Sequence, residues 1–174
     1  MKGFLLAGGL GERLRPLTLA IPKCLVPIDG EPLLGYWLAL CAREGVSEIL
    51  LNVSQHPDQV RDYLRRWPPP PAVTLVVEAR PIGSAGTVAA NRAFVEREES
   101  FWVFYAGNLT DVALGAMLAT HRRHDRLMTM GLFRAPVPSA AGIVELDNGG
   151  RVVGFEEKPA EPKPVEPKPV AAAK

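Results

Sequence analysis

The sequence has little of what would place it in several common classes of protein. Its 174 residues include two cysteines, Cys24 and Cys41, whose spacing fits neither a metal site nor a redox pair. No apolar run approaches the roughly 20 residues that span a bilayer, and a net charge of +1 gives no indication of nucleic-acid or membrane binding. The first residues lack a signal-peptide layout. We therefore expect a cytoplasmic protein with neither of those partners.

Two familiar phosphate-binding loops are also missing. A P-loop requires lysine and then serine or threonine after a second glycine five positions beyond the first, but Arg13 stands five positions after Gly8. The dinucleotide fingerprint requires glycine or alanine at position 14, where the chain has Leu14. The sequence therefore excludes a P-loop NTPase. A different nucleotide-binding α/β domain, such as one half of a dehydrogenase, remains only as a weak alternative.

A different glycine-rich loop is present near the start of the chain. The apolar run 4–7 predicts a buried strand, and three glycines follow it at positions 8, 9 and 11. Because glycine has no Cβ, backbone N–H groups there can approach an anion, and phosphate is the usual one. Positively charged side chains come next, at Arg13, Arg15 and Lys23. Glycines alone would equally suit a tight surface turn.

The rest of the chain alternates apolar strands with amphipathic helices. Further strands are predicted at 48–53, 73–77, 101–105 and 127–133. Helices are predicted to begin at Glu31-Pro32, at Pro57, after Gly86 (ending near Glu98) and at a cap formed by Asp111. Residues 147–150 predict a hairpin turn. This order predicts a mainly parallel, three-layer, Rossmann-like α/β sheet whose ligands bind at the carboxyl ends of the strands.

The block from Ala7 to Ile28 is more specific than its glycines. It contains G-G-x-G-x-R-L-x-P-L-T and then P-K-x-L-x-P-I without a gap. This pattern resembles the signature of the sugar nucleotidyltransferases, including the mannose, heptose and glucose 1-phosphate enzymes. The resemblance covers residues 1 to about 159, the N-terminal nucleotide-binding part of that family. It implies transfer of a nucleotidyl group from a nucleoside triphosphate to a sugar 1-phosphate, with release of pyrophosphate.

The resemblance also assigns roles to residues. It implies that Arg13 stabilises the leaving pyrophosphate and that Lys23 contacts the reacting phosphates. The segment 78–87 is similar to the family's E-x-x-P-L-G-T-A-G, which lies against the base and the sugar. The implied nucleotide-binding residues are Leu6, Ala7, Gly8, Gly9, Gly11, Arg13, Lys23, Gly83, Ala85, Gly86 and Thr87.

A sugar-phosphate pocket is implied by two later segments. Residues 142–145 and 154–159 resemble the family's G-V-V-E and G-F-x-E-K-P. By this match Gly142, Glu145 and Glu157 would contact the sugar and Lys158 its phosphate. Judged from charge alone, Glu157 and Lys158 would be a solvated ion pair.

The chain departs from the family in two places. The family's fourth strand ends in Gly-Asp, and that aspartate binds Mg²⁺. Here Gly107 stands at the metal position, with Asn108 beside it as a poorer ligand. After Pro159 the family continues with a further stretch carrying a second metal-binding aspartate. Here residues 160–174 are Pro/Lys-rich and predict a disordered tail.

These observations leave two main hypotheses. The chain is an Mg²⁺-dependent sugar 1-phosphate nucleotidyltransferase, or it is a catalytically impaired or truncated relative that binds nucleotide or a protein partner. The segment Leu109-Thr110-Asp111 resembles the guanylyltransferases, which favours GTP over other nucleotides. A homo-oligomer is a further expectation. For Cys24, a reactive thiol and a small buried side chain are both open.

Overall fold

The computed structural model describes residues 1–67, 71–124 and 126–160. The packing of the chain divides it into two compact units, Met1–Arg122 and Arg123–Lys174, and each is described by itself. Residues 161–174, nearly all of the predicted tail, lie outside the described residues. No described helix has the combination of length and apolar character that crossing a membrane would require.

The helices and strands follow one another as the sequence pattern predicts, with the exceptions given below. The strands are β1 (Lys2–Leu6), β2 (Pro27–Ile28), β3 (Glu31–Pro32), β4 (Glu48–Val53), β5 (Ala72–Val77), β6 (Trp102–Tyr105), β7 (Gly142–Leu146) and β8 (Val152–Glu157). The α-helices are α1 (Leu17–Ala20), α2 (Leu33–Arg43), α3 (Pro57–Arg66), α4 (Ser84–Ala90) and α5 (Leu114–Arg123).

The first unit is built on a four-stranded sheet in the order β5–β4–β1–β6, in which every pairing is parallel. Both faces of this sheet are covered. Leu5 and Leu51 belong to a core cluster on the side of α2, whereas Phe4 and Leu50 pack with Val88 of α4. Strands buried on both faces are mostly apolar, as β1 and β4 are apart from Lys2, Glu48 and Asn52. The predicted three-layer, mainly parallel α/β sheet is confirmed.

Helix α2 supplies much of the core on one face. Leu34, Leu38 and Cys41 recur at helical spacing and are fully buried. The helix ends before Gly45, whose φ of 73° is left-handed and favours glycine. Its start differs from the prediction, because Glu31–Pro32 forms β3, antiparallel to β2, and the helix begins only at Leu33.

Three further predictions about secondary structure are wrong. Residues 127–133 form no strand, and Leu127 and Phe133 are exposed, so neither backbone pairing nor burial supports one. The helix predicted to reach Glu98 ends at Ala90, because Asn91 leaves the helical conformation and its side-chain amide donates to the Thr87 carbonyl at 2.8 Å. Asp111 caps no helix, since α5 begins three residues later.

The second unit contains the predicted hairpin, which is confirmed. Strands β7 and β8 pair antiparallel, with an irregularity between Glu145 and Leu146. In the turn, the Asp147 carboxylate accepts the N–H groups of Gly149 and Arg151, each at 2.9 Å. Gly150 adopts a left-handed φ of 75°. An aspartate accepting from nearby backbone N–H groups and a glycine at positive φ are the turn chemistry that the sequence shows here.

Candidate nucleotide-binding site

A cleft of about 300 Å³ lies at the carboxyl ends of the four parallel strands of the first unit. Open α/β sheets bind their ligands at this edge. Most lining residues lie where the strands end: Leu6, Ala7, Gly8 and Gly9 at the end of β1 and after it, Asn52 near the end of β4, Glu78 after β5, and Tyr105, Ala106, Gly107 and Asn108 at the end of β6 and after it. Lys23, Cys24, Pro81, Gly83, Ser84 and Thr87 complete the lining.

Two carbonyl groups of the glycine-rich loop accept hydrogen bonds from side chains, one after β4 and one in α1. Ser54 Oγ donates to the Gly8 carbonyl at 2.6 Å, and Thr18 Oγ1 donates to the Gly11 carbonyl at 2.8 Å. Between the described residues, no hydrogen bond uses the N–H group of Gly8 or of Gly9 as its donor. Both residues line the cleft. Their amides are therefore available to an anion, as the glycine pattern predicts.

Two glycines of the loop are required for different physical reasons. Gly11 has a left-handed φ of 65°, a conformation that side chains disfavour. Gly8 has ordinary backbone angles, but a Cβ there would lie 2.6 Å from Asn52 Nδ2 and 3.2 Å from Glu78 Oε2. Gly8 therefore lets the loop approach the polar side chains beneath it.

Those polar side chains form a buried network on the floor of the cleft. The Ala7 N–H donates to Asn52 Oδ1 at 2.9 Å, and Asn52 Nδ2 donates to Thr87 Oγ1 at 3.2 Å. Thr87 Oγ1 in turn donates to Glu78 Oε1 at 2.6 Å. Asn52, Glu78 and Thr87 are all buried. The network joins β1, β4, the segment after β5 and helix α4, so it fixes the loop relative to the opposite wall.

Lys23 enters the cleft from a short 3₁₀ helix, Lys23–Leu25. Its ammonium lies next to Gly107, where a Cβ would be 2.7 Å from Lys23 Nζ and 3.1 Å from its Cε. Lys23 makes no ion pair with any described residue. An uncompensated ammonium and free amides face the same cleft, which is an arrangement suited to a polyanion.

The structure brings together seven of the eleven residues predicted to bind nucleotide: Leu6, Ala7, Gly8, Gly9, Lys23, Gly83 and Thr87. The other four are not among the lining residues: Gly11, Arg13, Ala85 and Gly86. Arg13 is exposed on a 3₁₀ helix, Glu12–Leu14. Its contact with pyrophosphate stays a prediction.

Sequence reasoning missed Asn52 and the role of Glu78. Asn52 is the only polar residue inside the apolar run 49–53, and a polar side chain in a buried strand needs a partner. A polar residue within this apolar run could therefore have indicated a buried polar contact at Asn52. Glu78 stood in the family-like segment, but nothing in the sequence indicated that its carboxylate would accept from Thr87.

The two cysteines are buried side chains. Burial raises the pKa of Cys24 and that of Cys41 to about 12. Because the thiolate is the nucleophilic form, burial favours the small buried side chain for Cys24 over the reactive thiol.

The residues predicted to bind the sugar phosphate lie in the second unit. Gly142 pairs with Glu157 across the hairpin, whereas Glu145 pairs with Gly154. Side chains alternate between faces along a strand, so the carboxylates of Glu145 and Glu157 lie on opposite faces and are not brought together. Lys158 forms an exposed ion pair with Glu157 at 3.6 Å.

The donors around the cleft do not fit a divalent cation. Gly107 has no side chain, and the position that a side chain would take is filled by the Lys23 ammonium. Asn108 lines the cleft but has no negatively charged side chain. The Glu78 carboxylate already accepts a hydrogen bond from Thr87 Oγ1. Among residues 1–67, 71–124 and 126–160, no three His, Cys, Asp or Glu side chains cluster in a way that could hold a metal ion. Mg²⁺ takes oxygen ligands, usually one or two carboxylates together with waters and substrate phosphates, and the described residues that line the cleft offer no carboxylate other than Glu78.

The chain is similar to known proteins along most of its length. Mannose-1-phosphate guanyltransferase from Gibberella zeae is 31% identical over 166 residues, which are 92% of this chain and 46% of that protein. Mannose-1-phosphate guanylyltransferase catalytic subunit beta from Danio rerio is 32% identical over 163 residues, 91% of this chain and 45% of its own length. The chain thus spans less than half of these relatives.

A solved structure shows the same fold. It is described as a glucose-1-phosphate thymidylyltransferase from Bacillus anthracis in complex with sucrose. The TM-score is 0.77 at 22% identity, over 93% of this chain and 66% of that one. The sequence model of the nucleotidyl transferase family matches residues 2–171, almost the whole chain. The chain therefore belongs to the nucleotidyl transferase family.

Proposed function

We propose that this chain transfers a nucleotidyl group from a nucleoside triphosphate to a sugar 1-phosphate, giving a nucleoside-diphosphate sugar and pyrophosphate. The observation that carries the proposal is the cleft, which is lined by Gly8 and Gly9, whose amides donate to no described residue, and by Lys23, whose ammonium has no ion-pair partner among the described residues. The relatives are named as mannose-1-phosphate guanyltransferases. GTP and mannose 1-phosphate are therefore the first substrates to test.

The reaction needs positioning and charge neutralisation more than covalent help from the protein. An oxygen of the sugar phosphate forms a bond to the α-phosphorus of GTP, and the bond from that phosphorus to the bridging oxygen breaks. Pyrophosphate leaves with the electron pair. In our proposal Lys23 and the loop amides stabilise the negative charge that develops on it, Arg13 approaches it from the loop, and Lys158 binds the phosphate of the incoming sugar.

A second candidate is a relative that binds the nucleotide without turning it over. The lack of a carboxylate at Gly107, beside an ammonium, favours this candidate. Both candidates predict that GTP binds in the cleft, and they differ in whether pyrophosphate is released.

The test is pyrophosphate release with GTP and mannose 1-phosphate, and with dTTP and glucose 1-phosphate for comparison. Lys23→Gln is expected to lower kcat/KM by about 100-fold, the order found when one preorganised donor is removed. Lys158→Gln is expected to raise KM for the sugar phosphate and leave KM for GTP unchanged. Arg65→Gln, which removes an exposed charge on α3, is the matched control.

The outcomes separate the candidates. GTP binding without pyrophosphate release from any substrate pair would favour the second candidate. Absence of both binding and release would contradict both.

A further inference from the structure

The corner of the cleft formed by Lys23 and Gly107 is unusual in its charge. The backbone of Gly107 does not require glycine, because its φ lies outside the left-handed region. Its missing side chain instead leaves the space that the Lys23 ammonium occupies, 2.7 Å from where a Cβ would be. Glycine at this position thus makes room for a cation.

The surroundings supply no negative charge to balance that cation. Among the residues that line the cleft, Glu78 is the only carboxylate, and it accepts a hydrogen bond from Thr87. No ion pair among the described residues includes Lys23. A site that binds Mg²⁺ presents one or two carboxylates beside the substrate phosphates, whereas neither Lys23 nor Gly107 supplies one to this corner of the cleft.

We propose that the Lys23 ammonium substitutes for a divalent cation in this cleft, so that the chain binds the nucleoside triphosphate in its metal-free form. This inference rests on the proposed nucleotide site, but it concerns which ionic form of the nucleotide binds there. The fully ionised triphosphate carries more negative charge than its Mg²⁺ complex. A corner with an unpaired ammonium and no carboxylate attracts the more negative form more strongly.

The experiment measures the dissociation constant of GTP by titration calorimetry in two buffers, one with excess EDTA and one with excess MgCl₂. For the wild-type chain, Kd in EDTA is expected to equal or fall below Kd in MgCl₂. Gly107→Asp places a carboxylate against Lys23 and neutralises it. In this variant, Kd in EDTA is expected to rise by about 10- to 100-fold, the range for losing one hydrogen bond to a charged group. Added Mg²⁺ should then restore binding.

Gly107→Asn is the matched control, because it fills the same space without adding charge. In either variant the new side chain displaces the flexible end of Lys23. Any steric cost is common to both buffers, so the ratio of the two Kd values for Gly107→Asn should stay at the wild-type ratio. Circular dichroism of each variant confirms that it is folded.

The outcomes distinguish this inference from the function on which it rests. A wild-type chain that binds GTP more weakly in EDTA than in MgCl₂ overturns the inference and leaves the nucleotide site intact. Equal ratios for Gly107→Asp and Gly107→Asn overturn it as well. Failure of the wild type to bind GTP in either buffer overturns the inference together with the proposed function. The wild-type comparison is decisive even if a variant does not fold.

Discussion

Thr87→Val is expected to destabilise the chain strongly although it changes almost no volume. Thr87 Oγ1 donates to the Glu78 carboxylate at 2.6 Å and accepts from Asn52 Nδ2 at 3.2 Å, and all three residues are buried. A hydrogen bond to a charged group contributes about 1.5–3 kcal/mol and a neutral one about 1 kcal/mol. Valine has the shape of threonine but neither bond. We expect the free energy of unfolding to fall by about 3 kcal/mol.

Thr87→Ser is the control that keeps the hydroxyl and removes a methyl group. Burial of one such group contributes about 0.8 kcal/mol, so the serine variant should lose about 1 kcal/mol. Urea unfolding followed by tryptophan fluorescence measures both, because Trp37 is buried in the same unit. Equal losses for valine and serine would refute the reasoning, since they would show that the hydroxyl contributes nothing.

A double-mutant cycle tests whether the bonds act as one network. Asn52→Ala removes the amide that joins Thr87 to the glycine-rich loop. If the side chains are coupled, the decrease in the free energy of unfolding for the double variant with Thr87→Val should differ from the sum of the decreases for the two single variants. We expect a difference of at least about 0.5 kcal/mol, as is usual for residues in contact. Additive changes in the free energy of unfolding would contradict a hydrogen-bond network that acts as one unit.

Two further predictions concern the glycine-rich loop and the two buried cysteines. Gly8→Ala places a Cβ 2.6 Å from Asn52 Nδ2 and should lower the free energy of unfolding by about 1–3 kcal/mol. Gly9→Ala meets no atom within 4 Å and should cost far less; equal losses in urea unfolding would count against the steric argument. Burial raises the pKa of Cys24 and Cys41 from 9.0 to about 12, so both thiols should resist Ellman's reagent at pH 8 until the chain unfolds. Between pH 9 and about 12 the folded chain keeps the two thiol protons that the unfolded chain releases, so the free energy of unfolding should fall as the pH rises through that window. Rapid labelling of the thiols in the folded chain, or an unfolding free energy that does not change over that window, would contradict their burial.

Much of the fold could be predicted because the strands of the parallel sheet follow runs of apolar or β-branched residues. Strands 48–53 and 73–77 are apolar or β-branched runs, and the structure places strands at Glu48–Val53 and Ala72–Val77. The run 127–133 has a similar composition but forms no strand. Composition shows that a segment can be buried in a sheet, whereas a strand exists only where a neighbour accepts its backbone hydrogen bonds. Whether such a neighbouring strand exists cannot be read from the residues of the segment itself.

The site was predictable where its chemistry depends on the backbone or on a fixed charge. The loop at Gly8 and Gly9 and the position of Lys23 in the cleft followed from local sequence. The network of Asn52, Glu78 and Thr87 did not, because its members come from three distant parts of the chain and meet only after folding. The only local indication of such long-range polar contacts is a polar residue within an otherwise apolar run, as Asn52 is here.

Three glycines of the loop and the cleft show that the same residue type can be required for different physical reasons. Gly11 is glycine because its φ is left-handed, and a side chain there would strain the backbone itself. Gly8 is glycine because a Cβ would meet Asn52, whose amide is held by hydrogen bonds and cannot withdraw without breaking them. Gly107 is glycine beside the end of a flexible lysine, which can move away. Substitution at Gly8 should therefore cost stability, whereas substitution at Gly107 should chiefly change the electrostatics of the cleft. That difference makes position 107 the place where the charge of the site can be altered without first destroying its shape.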